Sequence, residues 1–183
     1  MRLGISSWTY TWAIGVPGHP PEQPMTALGL VDRAAELGVH LVQIADNLPL
    51  DQLPLTELDA LEAHASELEI SIEVGTRGIG HDNLRTYLGL AEHFKSPILR
   101  VVVDTANFHP GPDEVVDIIK AIVPEFERAE VCLAIENHDR FKSKTLAEIV
   151  KRVGSAYVGI CLDTVNSFGA LEGPEVVLEA LGP

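Results

Sequence analysis

Residues 131–139 read VCLAIENHD. Five apolar positions give way at once to Glu136, Asn137, His138 and Asp139. A short aliphatic run with an abrupt polar end reads as a buried strand. Residues 158–169, VGICLDTVNSFG, repeat the pattern: Asp163 closes an apolar run, and Asn166 and Ser167 follow. Carboxylates and amides gathered at the ends of core strands point to a parallel α/β sheet, where functional groups collect at the carboxyl ends.

Working outward from these two runs, the same alternation covers the chain. Apolar runs lie at 3–6, 41–45, 70–74, 98–103, 131–135 and 157–162. Amphipathic segments at 25–37, 55–68, 83–94, 113–128, 143–153 and 174–181 lie between or after them. In the first, Leu28, Val31, Ala35 and Leu37 are expected on the buried face, with Gly38 as the stop. In the second, Leu58, Leu61, Ala65 and Leu68 share helical spacing. Pro112 and Asp113 open the fourth. Ser143 is expected to cap the fifth, and Pro174 suits the first turn of the last. Strands alternating with helices imply parallel pairing with helical crossovers. Near-continuous apolar strands imply a sheet covered on both faces. Two α/β architectures satisfy this, an open doubly wound sheet and a (β/α)8 barrel. No G-x-G-x-x-G follows the first strand, where the text is SSWTYTWAIG. GTRGIG at 75–80 has a different spacing and is expected to be a strand-to-helix loop.

The 183 residues predict one domain, 1–183, able to bury about 70% of its unfolded surface. The apolar share, 46%, argues for a globular chain. No run approaches the roughly 20 apolar residues of a membrane span, and MRLGISSWTY lacks the core of a signal peptide. A cytoplasmic location away from membranes is the expectation. Cys132 and Cys161 sit inside apolar runs and are expected as buried thiols. The formal net charge of −14 would repel phosphate backbones, so nucleic acid is not an expected partner.

The strand ends collect Trp8, Asp46, Asn47, Glu73, Asp104, Glu136 with His138, and Asp163 with Asn166. Carboxylates converging on one rim repel each other, and a divalent cation would resolve that repulsion. For Glu136 the alternatives are a functional carboxylate and an ion pair with Arg100. Arg100, a charge inside ILRVVV, either points inward toward Glu136 or a substrate oxygen or reaches the bottom rim. Asp163 is either a metal ligand or a helix cap. His138 either contacts substrate or lies on the surface. Asn137 holds loop geometry or binds a substrate hydroxyl. Trp8, Tyr10 and Trp12 either pack the first loop or form an apolar wall for a ligand. The remaining histidines show no metal-binding spacing.

With AIENH on a fifth strand and GICLDTVNSFG on a sixth, the chain resembles the xylose isomerase-like TIM-barrel superfamily, in its sugar phosphate isomerase/epimerase branch. MRLGISSWTY resembles that family's opening strand. The resemblance implies a metal-dependent isomerase or epimerase of a sugar or sugar phosphate, working by proton transfer beside a carbonyl. It implies Glu136 as both ligand and acid/base residue and Asp163 as second ligand. The ion would be Mn²⁺, Mg²⁺, Co²⁺ or Zn²⁺. It makes Trp8, Arg100, Asn137, His138 and Asn166 candidate substrate contacts. Asn166 stands where keto-sugar epimerases of the family often carry histidine. A histidine of a seventh strand and a glutamate of an eighth would complete the site, but six βα units are counted here, whereas a whole barrel takes about 250 residues. The expectation is therefore an N-terminal piece of a longer protein, inactive alone, whose exposed sheet edges invite homo-oligomerisation. A sugar-acid or inosose dehydratase, a DNA-repair endonuclease and a non-catalytic sugar-binding or assembly module share the scaffold. The endonuclease would need a histidine-rich multi-zinc rim.

Overall fold

The structure, a computed structural model, describes residues 2–138 and 140–182. Asp139, counted above among the polar groups after the fifth strand, lies outside the described residues, as do Met1 and Pro183. Six strands form one sheet in the order β1-β2-β3-β4-β5-β6, every neighbouring pair parallel. They are β1 (Ile5–Ser6), β2 (Leu41–Ile44), β3 (Ser71–Arg77), β4 (Ile98–Val102), β5 (Cys132–Glu136) and β6 (Val158–Cys161). A sequential parallel order is the barrel's order, not the doubly wound one. The fold is an incomplete TIM barrel of six βα units, with β1 and β6 at the two edges of the described sheet.

Seven α-helices accompany the strands among the described residues: α1 (Thr11–Ile14), α2 (Ala27–Leu37), α3 (Leu55–Glu67), α4 (His81–His93), α5 (Pro112–Ala129), α6 (Ser143–Val153) and α7 (Pro174–Leu181). None is long and apolar enough to cross a membrane. The short α1 and the 3-10 turn before it (Ser7–Tyr10) were not expected from the sequence. α2 turns a different face inward than expected. Ala27, Leu30, Val31 and Ala34 are buried, while Leu28 and Leu37 are exposed. Thr26 caps its first turn by accepting from the Gly29 N–H, which sets the helix start two residues later than predicted. On α3, Leu58, Leu61 and Ala65 are buried as expected. Ser143 is not the cap of α6. Lys142 holds that position, and the Glu172 carboxylate accepts from both the N–H and the hydroxyl of Ser143, each at 2.8 Å. A long-range carboxylate thus replaces the local cap, and suits the positive end of the helix dipole.

Strand parity divides the sheet into two chemically different faces. Val42, Ile44, Ile72, Val74, Leu99, Val101, Leu133 and Ile135 are buried in the core formed with the helices. α5 adds Ile119, Ile122 and Phe126, all fully buried. Each such side chain contributes about 1.5–3 kcal/mol of burial free energy. The alternate positions pair across the other face: Gln43 with Glu73, Gly75 with Arg100, Arg100 with Ala134, Ala134 with Gly159, and Glu136 with Cys161. This inner face is polar or small, and Gln43, Arg100, Glu136 and Cys161 on it line an open cleft, so the expectation of a sheet covered on both faces is corrected. β3 also runs on to Arg77, which makes the first half of GTRGIG strand. Gly78 then turns the chain at φ +94°, where a Cβ would lie 2.6 Å from the Thr105 methyl. Cys132 and Cys161 are half-buried free thiols, more open than expected.

Candidate active site

The carboxyl ends of the strands open into a cleft of about 470 Å³. Ser6, Trp8, Gln43, Arg77, Arg100, Glu136, His138, Cys161, Leu162, Asp163 and Asn166 line it. A volume of this size suits a small molecule. Of the seven candidate site residues, six line the cleft. Asn137 stands behind it.

Arg100 decides the electrostatics. Only 5% of it is exposed. It points inward, as one of its two sequence alternatives held. Its Nε donates to Glu136 Oε2, and its Nη1 to Asp46 Oδ1 at 3.1 Å. Asp46 also accepts from Arg77 Nε at 3.2 Å and from Trp8 Nε1 at 3.3 Å. Asn166 Nδ2 donates to the other Glu136 oxygen at 3.2 Å. Arg77, Asp46, Arg100, Glu136 and Asn166 thus form one chain of hydrogen bonds that runs from β2 to β6. A charge this buried is tolerated because it is paired. Gly75 makes room for it, since a Cβ there would sit 3.2 Å from Arg100 Cδ.

Asn137, 4% exposed, ties the end of β5 to the turn after β6. Its Nδ2 donates to the Asp163 carbonyl at 2.7 Å and to Ser167 Oγ at 3.0 Å. Its Oδ1 accepts from the Asp163 N–H at 2.6 Å. Asp163 Oδ1 accepts from the N–H groups of Val165 (2.7 Å) and Asn166 (3.0 Å). One oxygen therefore shapes the turn. Asp163 Oδ2 has no hydrogen-bond donor among the described residues. Asp163 is therefore not the cap of a helix, since the 3-10 turn Asn166–Phe168 has Val165 in that position; its Oδ1 closes the turn that leads there, which leaves the ligand alternative to Oδ2.

Carboxylate oxygens are the right donors for a hard divalent cation. Glu136 and Asp163 share the cleft from neighbouring strands and fit such an ion in kind. They do so as two ligands of a larger set, because no three His, Cys, Asp or Glu side chains group around a cation position among the described residues.

The remaining sequence candidates fall elsewhere. Of the three aromatics, Trp8 lines the cleft, held by the Ser7 and Asn47 side chains that bind the first loop to β2. Trp12 is 70% exposed and packs against His19, and Tyr10 accepts from Arg33. Glu73 accepts from Gln43 at 3.4 Å. Asp104 forms a two-pronged ion pair with Arg140, at 2.6 and 2.7 Å. Burial pushes the Asp104 carboxyl up, but the hydrogen bonds and charge of Arg140, with a smaller contribution from His109, together outweigh it and hold the group below its ordinary value. Arg77 was missed by the sequence reading. The period-2 series Glu73, Gly75, Arg77 could have placed it on the same face as Arg100.

The family described as Xylose isomerase-like TIM barrel matches residues 31–183. The 3-oxo-isoapionate decarboxylase of Pectobacterium atrosepticum is 31% identical over 181 residues, 98% of this chain and 64% of that protein. The chain therefore spans under two thirds of this relative's length. Among solved structures, a D-psicose 3-epimerase crystallised in the presence of D-fructose superposes with a TM-score of 0.78 at 15% identity, covering 100% of this chain and 70% of the other. The IolI protein with a bound zinc atom superposes with a TM-score of 0.59 at 16% identity, covering 91% and 64%. At those identities the structures establish the shared fold.

Proposed function

The chain belongs to the xylose isomerase-like TIM-barrel family, and from that premise we propose that it carries the carboxylate side of an enzyme site that enolises a small sugar or sugar derivative beside its carbonyl. The observation that carries this reading is the setting of Glu136. It ends β5 inside the cleft, fixed through one oxygen by Arg100 and through the other by Asn166, with Asp163 two residues past the end of the next strand. A carboxylate so oriented is placed to exchange a proton with a bound ligand. In an isomerase, Glu136 would take the proton from the carbon beside the carbonyl and return it to the neighbouring carbon on the same face; in an epimerase it would serve one face of the enediolate, and a second acid/base group would have to serve the other. Glu136 and Asp163 would hold the divalent cation, which when bound supplies polarisation of the carbonyl oxygen. Trp8, His138 and Asn166 would contact the sugar, and Asn137 would keep the Asp163 turn in register.

A second reading is favoured by the 31% identity to a decarboxylase across nearly the whole chain. In a 3-oxo acid the carbon–carbon bond to the carboxylate breaks, CO₂ leaves, and the electron pair enters the same enolate. Glu136 then serves only the proton that replaces CO₂. This reading suits a carboxylate pinned on both oxygens.

Mn²⁺ titration of the purified chain, followed by electron paramagnetic resonance, tests the shared premise. Binding that weakens in both Glu136→Gln and Asp163→Asn is expected. Binding indifferent to both variants, or none at all, would overturn it. The two chemistries separate by product: solvent deuterium entering a recovered ketose marks the isomerase or epimerase, and CO₂ release from a 3-oxo sugar acid marks the decarboxylase.

A further inference from the structure

We propose that Arg100 and Arg77 form a carboxylate-binding subsite in the cleft, so that the ligand is a sugar acid and not a neutral sugar. The inference rests on the enolising reading for the kind of ligand, but its chemistry stands on the two guanidinium groups. Each guanidinium carries five N–H donors in a fixed fork. Arg100 donates from Nε to Glu136 and from Nη1 to Asp46. Arg77 donates from Nε to Asp46 and from Nη1 to the Asp104 carbonyl at 3.4 Å. In both, Nη2 has no acceptor among the described residues. Arg100 Nη2 is also absent from the fully enclosed unpaired atoms, of which His93 Nε2 is the one found among the described residues. A nitrogen with no protein partner and not sealed off, on a residue lining the cleft, meets whatever fills that cleft.

Asp46 sets the spacing. Its two oxygens each take one arginine, Oδ1 from Arg100 and Oδ2 from Arg77, so two like charges from adjacent strands are held side by side on one counter-ion. Two guanidinium edges in one cleft match the two oxygens of a carboxylate. Burial of Arg100 strengthens such a contact, because little water competes for its donors. Glu136 adjoins Arg100, while Asp163 and Asn166 follow β6 at the far end of the cleft, so an acid would lie with its carboxylate toward β3 and β4 and its hydroxyl groups toward the residues after β6.

Calorimetric titration of the purified chain with erythronate, erythritol and erythrose 4-phosphate, each with and without Mg²⁺, reads the subsite directly. Erythronate should bind about tenfold more tightly than erythritol, about 1.4 kcal/mol, and more tightly than the phosphate. Arg77→Gln removes a partly exposed side chain and should abolish that preference. Arg77→Lys should restore only part of it, since an ammonium lacks the fork. Circular dichroism and the melting midpoint confirm that each variant is folded. No preference for erythronate under either metal condition would overturn the subsite. So would a preference that survives Arg77→Gln in folded protein. Tighter binding of erythrose 4-phosphate would overturn the assignment to a carboxylate. Because these readouts need no turnover, failure of the enolisation assays leaves them standing, and their failure leaves the Mn²⁺ test of Glu136 and Asp163 untouched.

Discussion

Replacing Arg100 with Met removes the cation from a buried carboxylate while keeping most of the side-chain volume. Arg100 is 6% and Glu136 9% exposed at the side chain. Breaking such a pair from one side costs about 3–5 kcal/mol, because the remaining charge stays buried without its partner. Two features put this site at the lower end. Asn166 still donates to Glu136, and the cleft lets water approach the carboxylate. Asp46 also keeps Arg77 and Trp8 as donors. The expected loss for Arg100→Met is therefore about 3 kcal/mol, or about 6–12 °C in melting midpoint for a chain of this size. Urea unfolding followed by circular dichroism measures it. The Arg100→Met/Glu136→Gln double variant should recover most of the loss, since neither buried charge remains, and the four proteins form a cycle that isolates the coupling. A single-variant loss under about 0.5 kcal/mol would place the pair with solvent-exposed bridges. A double variant as unstable as the sum of the singles would refute the argument from uncompensated charge.

Three further outcomes follow from the same geometry. Asn137→Ala strands the Asp163 N–H and the Ser167 hydroxyl, and should cost about 1–3 kcal/mol with faster amide hydrogen exchange confined to residues 162–172. Glu172→Ala removes the long-range cap of α6 and should cost about 1 kcal/mol, read by urea unfolding at neutral pH. The Glu172 carboxyl is held below its ordinary value of 4.5, first by the Ser143 backbone N–H, so its contribution is complete above that value and fades as pH falls through the lowered one; the wild type and Glu172→Ala should therefore converge in strong acid. Burial, aided by the Glu136 charge, pushes the Cys161 thiol from 9.0 up to about 11, making its thiolate about 100-fold scarcer at neutral pH; alkylation followed by mass spectrometry should accelerate only as pH approaches 11, and rapid labelling of folded protein at pH 7 would contradict this.

The alternation of apolar runs and amphipathic segments was enough to read the parallel sheet and every main helix, because strand and helix periods are local properties. The polar ends of β5 and β6 likewise announced Glu136 and Asp163. The arrangement around them was not legible, because it depends on register. Asp46 and Arg77 are 31 residues apart, and only the parallel pairing of β2, β3 and β4 brings Arg77 and Arg100 onto one carboxylate. The cap of α6 failed for the same reason. Ser143 satisfies the local rule, but Glu172, 29 residues on, supplies the carboxylate. The buried face of α2 was misplaced because alanines as well as leucines fill it. Ala27 and Ala34 are buried on that face, and an apolar count weighted toward large residues overlooks them.

Gly75 gives the cleft a property that no functional group in it could provide. The position opposite Arg100 on β3 carries no side chain, and a methyl there would press on Arg100 Cδ at 3.2 Å and on Ala45 at 3.4 Å. The reach of the guanidinium into the cleft is thus set by a missing atom. Gly75→Ala would lift the cation by a few tenths of an ångström without altering any charge. It offers a fine adjustment of how far the positive end stands from Glu136, separable from the presence of the charge itself.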